Sequence, residues 1–216
     1  MLTGLTGKVK SKFQNKYRNK TARAPWWDYG EDAAYFVTIN TRDRRRSFGD
    51  VMDEKMQLSE IGNIANQCWI DIPKHFPFVR LGDYVVMPDH VHGILIIDKT
   101  GYNAGPKNKT AVMDIPEPEL KLSGLVLIGT QNFASLSKPA PDWQHQPSKN
   151  KFGPQSQNLP SIVRGYKIGV AKGARKIIPG FAWQPRYHDH LIRDEREYQR
   201  IAAYIQNNPK NWTGKI

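Results

Sequence analysis

The chain has 216 residues and a mass of 24.7 kDa, enough for one ordinary domain carrying an insertion. A formal charge of +12 and a pI near 9.8 favour a polyanionic partner. No run nears the roughly 20 apolar residues of a membrane span, residues 1–25 show no secretory pattern, and one cysteine, Cys68, cannot form an internal disulfide; a cytoplasmic protein is expected.

Residues 1–24 hold seven basic residues and no acidic one, a composition for a solvated arm or for a track along phosphates. Trp26 and Trp27 open the packed part, and a single domain is expected over 25–216. The alternation of 35–41 predicts a strand, followed by the basic turn 42–46. Across 59–76, Ile61, Ile64, Ala65, Cys68, Trp69 and Ile72 recur at helical spacing, with Ser59 as N-cap. Two further strands follow, Val79–Met87 and His90–Ile97, turning at Pro88 and Asp89.

Residues 99–157 interrupt the pattern. Seven prolines argue against any continuous element, and only 120–128 is apolar enough to pack. Order resumes with 161–176, where Ile162, Tyr166 and Val170 alternate with Arg164, Lys167, Lys172, Arg175 and Lys176 as an amphipathic basic helix. A last strand is predicted over 181–193. The final helix covers 194–209: acidic residues suit its start, Ile201 and Ile205 supply an apolar stripe, and Pro209 ends it. The order strand, helix, strand, strand, helix, strand, helix gives an α+β fold, a ferredoxin-like antiparallel sheet with helices packed on one face.

Within that frame His90-Val91-His92 stands out. Period-two alternation puts His90 and His92 on one strand face and Val91 on the other, so two imidazoles can grip one divalent ion. Tyr204 and Asn208 lie four apart in the last helix and project from one face, a phenol beside an amide oxygen. Asn207, at i+3, lies near the same face.

These motifs carry a resemblance. His90-Val91-His92, the run Tyr204-Ile205-Gln206-Asn207-Asn208-Pro209, and the segments 35–41 and 183–193 together resemble the single-tyrosine HUH transposases, most nearly the REP-associated tyrosine transposases. The match spans roughly 24–98 and 158–212, and the 99–157 insertion departs from it. The resemblance implies that Tyr204 cuts single-stranded DNA at the foot of a hairpin through a 5′-phosphotyrosine, in DNA transposition. It also implies that Asn208 joins His90 and His92 on magnesium or manganese, although the donors alone would tolerate zinc, cobalt or nickel. Arg164, Lys167, Lys172 and Arg175 are candidate nucleic-acid contacts, and a monomer or homodimer is expected.

Several alternatives stay open. Tyr166 is a rival nucleophile on the basic helix, whereas Tyr198 lies about 240° around from Tyr204 and should miss the metal face. His188 and His190 form a second His-x-His, structural or in contact with DNA, and Trp183 and Tyr187 either pack in the core or stack bases. A non-catalytic nucleic-acid binder of the same fold, or a metal-dependent phosphodiesterase using water, would share much of this sequence.

Overall fold

The computed structural model describes residues 27–102 and 156–214, together with the backbone of a two-residue ladder in the arm, β1 (Lys12–Phe13) against β2 (Lys16–Tyr17). The apolar stretch expected at 120–128 lies outside the described residues. Elements then follow as β3 (Ala33–Asn40), a 3-10 turn (Arg42–Arg44), β4 (Gly49–Met52), β5 (Lys55–Leu58), α1 (Glu60–Ile70) and α2 (Ile72–His75). After them come β6 (Val79–Met87), β7 (His90–Ile97), α3 (Leu159–Ile177), β8 (His188–Ile192) and α4 (Glu195–Gln206). None of the described helices is long and apolar enough to cross a membrane.

The main sheet runs β6-β7-β3-β8, antiparallel throughout, with the first long strand between the third and the last. That is the expected ferredoxin-like order. Strand alternation sorts the side chains into two layers. Tyr35, Val37, Ile39, Val91, Leu95 and Ile97 face α1 and α3, which share one side. Ala34, Ile94, Ile96 and Ile192 face the other way and bury Tyr198, Ile201, Ala202 and Ile205 of α4. The C-terminal helix therefore takes the opposite face from α1 and α3. Gly93 permits the close α1 contact, since a Cβ there would meet Trp69 Cζ2 at 2.3 Å.

Several elements differ from the sequence reading. The 59–76 helix breaks at Asp71, just before Pro73, which lacks the N–H that a continuing helix needs. Ser59 caps it as expected, accepting from Gly62 N at 3.0 Å. The β4–β5 hairpin turns through Asp53 and Glu54 at φ of 49° and 59°, a left-handed pair without the Asn-Gly signature that announces such turns. The last strand shrinks to His188–Ile192, because Pro185 and a left-handed Arg186 (φ 70°) interrupt it and leave only a Thr41–Trp183 bridge upstream.

Candidate active site

The candidate site lies on the α4 side of the sheet. In register, Asn40 faces His90 and Thr38 faces His92 across β3–β7, while Val91 is fully buried in the opposite layer. The two imidazoles lie side by side with ring centroids 4.4 Å apart. Neither faces solvent: His90 is 4% and His92 6% exposed.

Each ring is anchored through Nδ1. His90 Nδ1 lies 2.5 Å from Asp89 Oδ1. A carboxylate only accepts, so that nitrogen carries a proton, and any metal on this ring would sit on Nε2. His92 Nδ1 lies 2.9 Å from Thr38 Oγ1, and burial above all, with His90, Arg44 and His188 adding to it, drives its pKa from 6.5 down to about 3. Both imidazoles thus suit metal ligation, oriented by outer partners as ligating histidines usually are.

Behind them stands a braced turn. Asp89, 2% exposed, receives Arg44 Nε on Oδ2 at 2.9 Å, and Arg44 also donates to Asn40 Oδ1 at 2.5 Å. Asp43 and Arg44 both occupy the left-handed region, at φ of 56° and 53°. Backbone of that kind is held only when its surroundings over-determine it. Here Thr41, 1% exposed, donates to the carbonyls of Asp89 and Arg45. Sequence reading missed Asp89, Arg44 and Asn40; the one local signal was an acid directly beside His90.

Tyr204 projects from α4 over this pair, half exposed, with its hydroxyl 3.4 Å from His92 Nε2. Phe36 packs against both, stacked on His92 and edge-on to Tyr204. Trp212, from the segment after α4, closes the far side against His90 at 6.0 Å between centroids, with Arg46 above its ring. The helix ends at Gln206, earlier than the 194–209 reading, as the Asn207 side chain caps Ala203 O at 2.8 Å. Asn208 is half-buried in the turn that follows, its N–H on Ile205 O at 3.2 Å.

The rival tyrosines are elsewhere. Tyr166 is fully buried on the opposite layer, donating to Ala65 O at 3.2 Å, and burial holds its pKa well above 10.0. Tyr198 is buried beside Gly82, away from the histidines. His188 shares the sheet face of His92, each of the two paired with Thr38, and is exposed. His190 is tied to Glu197 Oε1 at 2.8 Å. Trp183 packs in the core against Phe48 and Phe181. Arg164, Lys167, Lys172 and Arg175 gather around one cavity on the α3 side, so the structure does not bring them to Tyr204.

Among the described residues no three His, Cys, Asp or Glu side chains form a ligand set. The two rings, held through Nδ1 by Asp89 and Thr38, offer their Nε2 atoms to a divalent ion.

No protein-family model matches the chain. An uncharacterised protein of Haemophilus influenzae is 35% identical over 198 residues, 91% of each chain, and the two belong to one family. A second Haemophilus influenzae protein, named "Putative REP-associated tyrosine transposase", is 22% identical over 182 residues, 84% of this chain and 73% of that one. The chain resembles the REP-associated tyrosine transposases. Two solved structures lie further off. A REP-associated tyrosine transposase bound to a REP hairpin has a TM-score of 0.45 at 18% identity, covering 91% of this chain and 78% of that one. A Deinococcus radiodurans protein described as a "putative transposase" has 0.39 at 16%, covering 88% and 96%. The sequence blocks that carry the resemblance to these transposases fall on β3, β7, β8 and α4 with its following turn, and β7 lies between β6 and β3 in the sheet that α4 covers.

Proposed function

We propose that this chain is a metal-dependent transposase that cuts and rejoins single-stranded DNA beside a hairpin, with Tyr204 as nucleophile. The carrying observation is the Tyr204 hydroxyl 3.4 Å from His92 Nε2, beside two buried imidazoles whose Nδ1 atoms are already engaged. Sequence similarity to a REP-associated tyrosine transposase and the charge of +12 support the same reading.

His90 and His92 would hold magnesium or manganese, with Asn208 as third donor. When bound, such an ion withdraws charge from the scissile phosphate and stabilises what develops in the transition state. The residues then divide the remaining work. Tyr204 loses its proton and attacks phosphorus; the bond to the 3′-oxygen breaks and that oxygen takes up a proton. The products are a 5′-phosphotyrosine and a free 3′-hydroxyl. Since the phosphodiester energy is retained, a second 3′-hydroxyl can reverse the step and join a different end. Half exposure leaves Tyr204 accessible to a strand, while Phe36 holds the ring over His92.

Denaturing electrophoresis after mixing the protein with hairpin DNA and Mn²⁺ tests this. A covalent adduct from wild type and none from Tyr204→Phe is the expected result. Released fragments without adduct would indicate a phosphodiesterase using water. Binding without either would leave a nucleic-acid binder.

A further inference from the structure

The turn that braces His90 carries more than bracing requires. Just beyond Asn40, the register partner of His90, it places Arg42, Arg44, Arg45 and Arg46 against one exposed acid, Asp43. Arg44 is held in plane from two sides. Its Nε ion-pairs with Asp89 Oδ2 at 2.9 Å, and its Nη1 donates to Asn40 Oδ1 at 2.5 Å. The side chain is nevertheless 41% exposed, and its remaining nitrogen, Nη2, has no hydrogen-bond acceptor among the described residues. Other cations differ. Lys167 donates to the carbonyls of Gln184 and Arg186 and Arg175 to that of Phe181, so two of the basic residues expected to meet nucleic acid fasten 181–186 to α3 instead.

The guanidinium sits on the site's side of the sheet. Phe36, Thr38 and Asn40 alternate onto the face that α4 covers, and Asp89 reaches Arg44 with one oxygen and His90 with the other. Arg44 is also among the charges that hold the His92 pKa down, so its field spans the pair. Bracing alone does not account for the backbone. Asp43 and Arg44 are left-handed in succession, and an ion pair with one member so exposed returns little. Backbone of that kind gathers where a ligand is held.

Resting on the proposed DNA substrate, we propose that Arg44 holds one backbone phosphate of the substrate strand against the histidine pair, donating from Nη2 while Nε and Nη1 stay on Asp89 and Asn40. A phosphate oxygen is a strong acceptor for a guanidinium, and a fork already fixed in plane loses little freedom in binding one. A lysine could neutralise Asp89 but has no second edge to offer. The contact carries no sequence information; it sets where the strand lies. It also joins substrate to site, because a strand seated on Arg44 steadies the carboxylate that orients His90.

Binding without chemistry tests the assignment. Full-length protein in EDTA is titrated by fluorescence anisotropy with a hairpin carrying single-stranded flanks of about six nucleotides. Further probes replace one phosphate at a time by an uncharged methylphosphonate. With wild type, one position at the hairpin foot, or two adjacent ones, should weaken binding roughly threefold to tenfold more than the rest. In Arg44→Gln that sensitivity should vanish while other positions keep theirs. The slope of log K against log salt should fall by about 0.7, one single-strand phosphate contact. Arg45→Gln, one residue on and exposed, should leave the pattern intact. A thermal melt checks each fold; if Arg44→Gln is unfolded at the assay temperature, Arg44→Lys should lose the same position. Uniform weakening at every phosphate, as a purely structural role predicts, would overturn the assignment, and so would loss of the same position in Arg45→Gln. The adduct assay with Mn²⁺ separates this from the reaction. If wild type forms no adduct yet one phosphate depends on Arg44, the proposed reaction fails and the contact stands. If adducts form and no phosphate depends on Arg44, only the contact fails.

Discussion

Removing the Asp89 carboxylate should damage the proposed metal site more than the fold. The side chain is 2% exposed and makes two contacts, to His90 Nδ1 at 2.5 Å and to Arg44 Nε at 2.9 Å. The first is buried at both ends, and loss of a buried bond to a charged group costs about 1.5–3 kcal/mol. The second involves an Arg44 side chain 41% exposed, so water takes over much of it and its loss adds under ~1 kcal/mol. Asp89→Ala should therefore cost about 1.5–4 kcal/mol, a Tm fall of roughly 3–16 °C for a domain of this size. His90 would at the same time lose the partner that holds its tautomer and ring angle, and outer-partner losses of that kind weaken metal affinity about 10–100-fold. Calorimetric Mn²⁺ titration at a temperature well below the variant's Tm separates the two effects. Asp89→Asn, which keeps an acceptor oxygen without the charge, should fall between. Mn²⁺ affinity equal to wild type in Asp89→Ala, alongside a lowered Tm, would refute the orienting role and leave Asp89 a purely structural residue.

Three other outcomes follow from named contacts. Asn208→Ala should weaken Mn²⁺ binding by calorimetry, while Asn207→Ala should lower stability by about 0.5 kcal/mol, since its exposed side-chain bond to Ala203 O is lost but the backbone N–H still reaches that carbonyl; the reverse pattern would exchange their roles. Gly93→Ala places a Cβ 2.3 Å from Trp69 Cζ2, a ring with no exposure and nowhere to yield, so the urea midpoint should drop by the equivalent of about 3 kcal/mol. In the metal-free protein, the unfolded chain takes up a proton near 6.5 that folded His92 refuses until about 3. Stability should then fall as pH drops through that window, by up to ~1.4 kcal/mol per unit, and His92→Gln should lose that slope in urea titrations at successive pH values.

How much of this was legible depends on how local its cause is. The strands Val79–Met87 and His90–Ile97 and the shared face of the two histidines follow from side-chain alternation within one segment, so sequence alone places them. Ser59 announces its helix by capping, a contact three residues long. Asp89 did not read as the partner of His90 Nδ1, because an acid after Pro88 has an ordinary explanation as a turn former. What distinguishes it is Arg44, brought within reach only by a left-handed turn and by the pairing of Asn40 with His90. Lys167 and Arg175 show the same limit from the other side. Helical periodicity puts them on a solvent-facing stripe, where free cations and DNA contacts look alike. Whether such a residue greets phosphate or the carbonyls of its own chain is decided by what folds opposite, here a segment 6 to 19 residues further on. Tyr204 and His92 are 112 residues apart, and spacing within either motif carries no information about their meeting. Their approach depends on α4 crossing to the sheet face that α1 and α3 leave uncovered. That face is apolar at Ile94 and Ile96 and polar at His90 and His92, so the same strand that anchors the helix by its far end presents the imidazoles at its near end.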